Sequence, residues 1–117
     1  MNLSNPILLS DRSEDFRSLL RDMLTKHGFF HVLEATNEEE TIQFLKQEKK
    51  PVFILIQQDV LNGDLIEILS KRKNFIVIGQ PDQPQTVNLA ARLGVKHILN
   101  FPFSSLILLE KINSISQ

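Results

Sequence analysis

PVFILIQQDVLNGD, residues 51–64, is the stretch that decides the architecture. Val52 to Ile56 is an unbroken apolar run, opened by Pro51 and closed by Gln57, Gln58 and Asp59. Such a run is too short for a helix and lacks the polar alternation of a strand with one wet face. It reads as a strand buried on both faces of a parallel sheet. In open parallel sheets, ligands and chemistry sit just beyond the carboxyl ends of the strands. Gln57 therefore stands where this chain either performs chemistry or has given it up.

Toward the N-terminus, Ile7 to Leu9 forms a first apolar run, and Ser10-Asp11-Arg12-Ser13 supplies helix-starting residues. Phe16, Leu19, Leu20, Met23 and Leu24 recur at helical spacing, with Glu14 and Asp15 in the first turn, Lys26 near the last and Gly28 as the stop. Phe30 to Leu33 reads as a second strand. Thr36 or Asn37 caps a second helix, since Glu39 and Glu40 stand three residues on from them. Ile42, Phe44 and Leu45 supply its buried side, and Lys49-Lys50-Pro51 ends it.

Toward the C-terminus, Asn62-Gly63-Asp64 opens a third helix through Leu65, Ile66, Ile68 and Leu69. Phe75 to Ile78 is a fourth strand ended by Gly79. Gln80-Pro81-Asp82-Gln83-Pro84 is a loop that places Pro84 at the first position of a helix. That helix carries Val87, Ala90, Ala91 and Leu93 and stops at Gly94. Val95 to Leu99 reads as a fifth strand, Asn100-Phe101-Pro102-Phe103 as a turn, and Ser104 as the cap of a last helix reaching Ile115. Five strand–helix units with short connections predict an α/β fold, a parallel sheet with helices on both faces. Residues 1–117 read as one domain, with no repeat or linker and no room after the fifth helix for an output domain.

A chain of 117 residues can bury about two-thirds of the surface it exposes when unfolded. Its net charge of −1 offers no case for nucleic acid or an anionic membrane. Basic clusters at Lys46, Lys49 and Lys50 and at Lys71, Arg72 and Lys73 fall at expected helix ends, where dipole complementarity and solvation account for them. The absence of cysteine excludes disulfides, thiolate metal sites and cysteine nucleophiles. His27, His31 and His97 lack metal-ligand spacing. No apolar run approaches the ~20 residues of a membrane span, and no basic segment followed by an apolar core marks a secretory signal. A cytoplasmic protein without cofactor or metal is the expectation.

Three stretches together resemble the receiver domain of two-component response regulators. ILLSDRSEDFR, residues 7–17, is similar to the first strand and acidic loop of receivers. Residues 51–69 are similar to the segment that carries the phosphorylated aspartate, and LGVKHILNFPF, residues 93–103, to the segment ending in lysine-proline-phenylalanine. The resemblance implies a CheY-like, flavodoxin-like (βα)5 three-layer sandwich with strand order 2-1-3-4-5. It also implies a cis peptide bond at Phe101-Pro102.

At the functional positions the chain departs from the pattern. The acidic pair falls on Asp11 and Arg12, and the phosphoacceptor on Gln57. The serine or threonine ending the fourth strand falls on Gly79, the lysine on Phe101 and the aromatic switch position on Ile98. An acyl phosphate needs a carboxylate nucleophile, and an amide is neutral and weakly nucleophilic. Phosphoryl transfer leans on Mg²⁺ and a cationic side chain, and Mg²⁺ demands several hard oxygens in octahedral array. The resemblance with these losses implies a pseudo-receiver, not an enzyme.

Each position also has a plainer reading. Asp11 reads either as a helix cap or turn residue or as the surviving acid. Arg12 is either a solvated loop charge or a cation filling the vacated metal site and paired with Asp11. Gln57 suits a hydrogen-bonded strand end, and Phe101 and Phe103 suit packing aromatics, with Phe101 covering the former pocket. Asp59 is the alternative, displaced acceptor. A flavodoxin-like cofactor-binding domain is another alternative, disfavoured because Asp11, Glu14 and Asp15 would repel a phosphate. An acid–base enzyme using Asp11 or Asp59 lacks a second converging group.

Receivers commonly bind partners through the fourth helix, fifth strand and fifth helix. In the last helix Leu108, Ile112 and Ile115 share a core face, while Leu106 and Ile107 lie away from it. That pair marks a candidate surface for a signalling protein partner, and a homodimer is compatible with it. The lack of tryptophan and tyrosine removes the commonest interface anchors.

Overall fold

A computed structural model describes residues 5–48, 52–80 and 82–116. Lys49, Lys50 and Pro51, where the sequence pattern ends the second helix and opens the third strand, and Pro81 lie outside the described residues. The strands are β1 (Ile7–Ser10), β2 (Val32–Ala35), β3 (Phe53–Gln57), β4 (Phe75–Gly79) and β5 (Ile98–Asn100). The helices are α1 (Glu14–Thr25), α2 (Glu38–Gln47), α3 (Gly63–Ser70), α4 (Pro84–Leu93) and α5 (Ser105–Ser116). All strands pair in parallel in the order β2-β1-β3-β4-β5, the expected flavodoxin-like arrangement.

The unbroken apolar runs have the expected cause. Ile7, Leu9, Phe53, Leu55, Ile76 and Ile78 face α1 and α5, packing on Leu20, Leu24, Leu108, Ile112 and Ile115. Leu8, Ile54, Ile56, Phe75 and Val77 face the other layer, packing on Leu45 of α2, Leu65 and Leu69 of α3, and Leu89 and Leu93 of α4. Each such side chain contributes about 1.5–3 kcal/mol when fully buried. Side chains at odd and even positions are both dry, so no polar residue interrupts the central strands.

Three local expectations are corrected. The second strand is Val32–Ala35, not Phe30 to Leu33. α1 closes with hydrogen bonds from the Gly28 amide to the Thr25 carbonyl and from the Phe29 amide to the Leu24 carbonyl, with Gly28 at φ 89°. That closure buries Phe29 and leaves Phe30 in solvent. The fifth strand begins at Ile98, because Gly94 at φ 101° starts a 3-10 turn over Val95–His97. The buried His97 ring stacks on Phe75 at 4.0 Å, and its Nδ1 lies 2.9 Å from the Phe75 carbonyl. Burial holds its pKa below the ordinary histidine value, making it a core residue. On α4 the buried side is Thr86, Leu89 and Leu93. Val87 and Ala91 face outward, because the Thr86 hydroxyl is drawn in by buried hydrogen bonds.

Caps follow the local sequence. Ser13 caps α1, Asn37 caps α2 and Asn62 caps α3, each accepting a hydrogen bond from the amide three residues on. Glu40 reaches back to the Thr36 amide, so Asn37 and not Thr36 is the cap. Ser104 accepts from the Ile107 amide, and the Phe101-Pro102 bond is cis.

Candidate functional site

The register brings the candidate positions to one edge. Ser10 pairs with Ile56, Gln57 with Ile78, and Gly79 with Asn100, so Asp11, Gln57, Gly79 and Phe101 all lie at the carboxyl end of the sheet. A cavity of about 290 Å³ opens there, lined by Asp11, Arg12, Ser13, Phe16, Gln57, Asp59 and Val60.

Asp11 is 6% exposed. Its Oδ1 accepts the Ser13 amide at 2.8 Å, the turn role expected of it, while its buried Oδ2 has no partner. Burial raises its pKa above the ordinary aspartate value, opposed by the Ser13 amide and Arg17; Asp59 adds a further upward push. Arg12 does not pair with Asp11. Its guanidinium turns outward to Glu38 at 2.7 Å, because an exposed carboxylate satisfies it without desolvation. The cation behind the site is Arg17, whose Nη1 donates to the Asp11 carbonyl at 2.7 Å and whose Nε donates to Glu34. Sequence reasoning missed Arg17, although residues 17, 20 and 24 share one buried helix face.

Gln57 is a hydrogen-bonded strand end: its Oε1 accepts the Asp59 amide at 3.0 Å and opens a 3-10 turn over Gln58–Val60. The exposed Asp59 contributes a second carboxylate to the cavity wall, which the spacing alone did not count. Among the described residues no three Asp, Glu, His or Cys side chains group as a metal-ligand set. One oriented carboxylate oxygen, one exposed carboxylate and an amide already committed to the backbone do not fit a magnesium centre. Phe101 meets the ring of Phe16, a cavity-lining residue, edge-on at 4.9 Å, and Phe103 at 5.7 Å, so the aromatic pair closes the flank.

Gly79 is enclosed. A Cβ there would stand 2.5 Å from Asn100 Oδ1, 2.9 Å from Thr86 Cγ2 and 3.3 Å from Ile98 Cγ2. The space of a side chain at 79 is thus filled by α4 and β5, with Ile98 among the fillers. Gln58, also missed, clamps this corner. Its Oε1 accepts the Gln80 amide at 3.0 Å and the Thr86 hydroxyl at 2.6 Å, and its Nε2 donates to Gln83. A glutamine just past a strand carries no periodic signal that could reveal this role.

Four of the exposed large apolar residues lie on α4, on the turn before β5 and on α5. Val87 is 72% exposed, Val95 77%, Leu106 55% and Ile107 45%. Val87 and Val95 also line a groove of about 460 Å³ with Ala90 and Ile98. Leu106 and Ile107 are therefore as exposed as their spacing implied.

No protein-family model matches the chain. The chain is 28% identical over 116 residues to the chemotaxis protein CheY of Thermotoga maritima, covering 95% of this chain and 97% of that protein. A two-component response regulator from Clostridium difficile superposes with a TM-score of 0.73 at 23% identity, covering 97% of this chain and 96% of that one. A receiver domain from Saccharomyces cerevisiae, solved with a histidine phosphotransfer signalling protein, gives 0.69 at 19% identity, covering 93% and 86%. The chain is thus similar in sequence to a CheY protein and shares the CheY-like fold of the receiver domains it superposes on. Among the described residues no helix is long and apolar enough to cross a membrane.

Proposed function

We propose that this chain is a pseudo-receiver: a signalling module that binds a protein partner without being phosphorylated and catalyses no step of its own. The observation that carries the reading is Gln57, an amide at the acceptor position with its oxygen turned back onto the Asp59 backbone. The neutral Phe101 and the filled space at Gly79 support it. A fixed surface follows from a fixed corner, since the Gln58 clamp ties the end of β3 to the loop before α4. The partner surface is the α4–β5–α5 face, where Val87, Val95, Leu106 and Ile107 supply apolar contact. Exposed Arg92 and Lys96 suit an acidic amphipathic segment.

The test is incubation with acetyl phosphate and magnesium, read by intact mass, with beryllofluoride followed by NMR. No mass gain and no shift are expected. A second reading, phosphorylation at Asp59, is favoured by the carboxylate's place on the cavity wall. Stoichiometric label that Asp59→Asn abolishes would establish it and end the first. The surface is tested with Leu106→Asp/Ile107→Asp, which should abolish partner capture by the unphosphorylated chain; unchanged capture would move the surface elsewhere.

A further inference from the structure

We propose that the groove between α2 and α3 is a self-complementary surface through which two copies of this chain pair about a twofold axis. The groove, about 650 Å³, has an apolar floor of Ile42 and Ile68. Asp64 and Glu67 line one end, and Lys71, Arg72 and Lys46 the other. Both helices return the chain between parallel strands, so both run away from the carboxyl edge of the sheet. The acidic end therefore lies near that edge and the basic end at the opposite one. Helix-dipole complementarity explains the sign at each end. It does not explain why the charges of both helices turn toward one groove with an apolar floor.

The occupant follows from the charge order. A partner must present bases where this groove presents acids, at a separation of about 10 Å along the helix, the rise from Asp64 to Lys71. A second copy rotated about an axis perpendicular to the helices does so, laying its α3 ridge into the groove antiparallel to the first. The pair between Glu67 of α3 and Lys71 just past its end is loose, at 3.7 Å with both side chains at least 70% exposed. Among the described residues Lys46 and Arg72 have no ion pair. A net charge of −1 opposes association little. The axis crosses near Ile68, midway between the acids and the bases. Because α2 and α3 lie apart from the α5 surface, such a dimer leaves Leu106 and Ile107 free, and it does not depend on the pseudo-receiver reading.

The experiment is sedimentation equilibrium of the full chain over a wide concentration range, with three variants. Wild type should show a monomer–dimer equilibrium. Lys71→Glu places acid against acid across the axis and should weaken the dimer by about tenfold or more. Adding Glu67→Lys reverses the order on both copies and should restore the dimer to within about threefold of wild type. Ile68→Cys, the sole thiol in a cysteine-free chain, should form a disulfide-linked dimer under mild oxidation. A chain monomeric at every concentration overturns the proposal. So does a dimer indifferent to Lys71→Glu, or one that the charge swap fails to restore.

Discussion

Gly79→Ala is the sharpest probe of the corner that separates the cavity from α4. Gly79 has no positive φ, so alanine meets no backbone strain and lowers the unfolded chain's entropy, a gain of about 0.4–1 kcal/mol. Against that stands crowding: the new Cβ falls 2.5 Å from Asn100 Oδ1, 2.9 Å from Thr86 Cγ2 and 3.3 Å from Ile98 Cγ2. Asn100 is exposed and can swing away. Thr86 cannot, because its hydroxyl donates its single proton to a bifurcated pair of bonds, to Gln58 Oε1 and to the Gln80 carbonyl, each at 2.6 Å. Relief requires Thr86 to move and to weaken one of those bonds, worth about 1 kcal/mol, on top of about 1–3 kcal/mol for overpacking. The net expectation is a loss of about 2 kcal/mol, a fall of roughly 1 M in the urea midpoint at unchanged slope. Urea unfolding followed by far-ultraviolet circular dichroism reads it. Thr86→Ser keeps the hydroxyl and removes Cγ2, so in the Gly79→Ala background it should recover at least half of the loss. Equal or greater stability of Gly79→Ala, or no recovery with Thr86→Ser, would refute the claim that α4 and β5 fill this space.

Gln57→Asp alone should not confer phosphorylation by acetyl phosphate and magnesium, because Phe101 still supplies no cation; intact mass checks it, and stoichiometric uptake would show the cavity sufficient as it stands. Asp11→Asn should stabilise the protein by about 1 kcal/mol at neutral pH, since it removes a buried negative charge that burial penalises. The raised pKa of Asp11 means the native state holds its proton more tightly than the unfolded chain, so the wild type's stability from this group is complete below 3.8 and lost as pH rises. The gap between variant and wild type should therefore close on acidification, as measured by urea titrations across pH. For His97 the sign is opposite: its lowered pKa makes stability fall as pH drops below 6.5, where the unfolded chain takes up a proton the native state resists. His97→Phe, which keeps the ring on Phe75, should flatten that acid limb while costing about 1 kcal/mol at pH 8 for the lost bond to the Phe75 carbonyl.

The fold was legible because each central strand is dry on both sides and writes that into four or five consecutive residues, as Phe75 to Gly79 does. Edges were less legible. β2 includes Glu34, whose carboxylate meets Arg17 and Arg21, and a charged residue hides an edge strand from an apolar count. The short β5 is preceded by a turn whose apolar Val95 faces water. In the site, the chemistry of the candidate residues was readable from type alone, since an amide or phenyl group announces its chemistry. Their partners were not. Arg12 and Arg17 are alike in sequence, yet Arg12 leaves for Glu38 while Arg17 is drawn under Asp11. Gln57 and Gln58 are adjacent twins, and alternation sends one to its own turn and the other into a buried clamp. Sequence specifies donors and acceptors; only the fold selects which ones meet.

The side chains at this edge are physically coupled. A cluster of carboxylates at a half-buried site persists only with cations beside it, because burial penalises each uncompensated charge. With phenylalanine at 101, the counter-charge that the resemblance would place there is gone, and Phe101 instead closes apolar contact with Phe16. A neutral amide at 57 is then the cheaper occupant of the strand end. The one buried carboxyl that remains, Asp11, has its pKa raised by that burial and leans on an amide and on Arg17 from behind. A single change acts against this balance: aspartate at 57 would add a third acid beside Asp11 and Asp59 with no new cation. On the pseudo-receiver reading, phosphorylation would require at least the carboxylate and its counter-charge together, and space at 79 for the hydroxyl to follow. The filled corner at Gly79 makes that last step depend on Thr86 and the Gln58 clamp, residues outside the cavity itself.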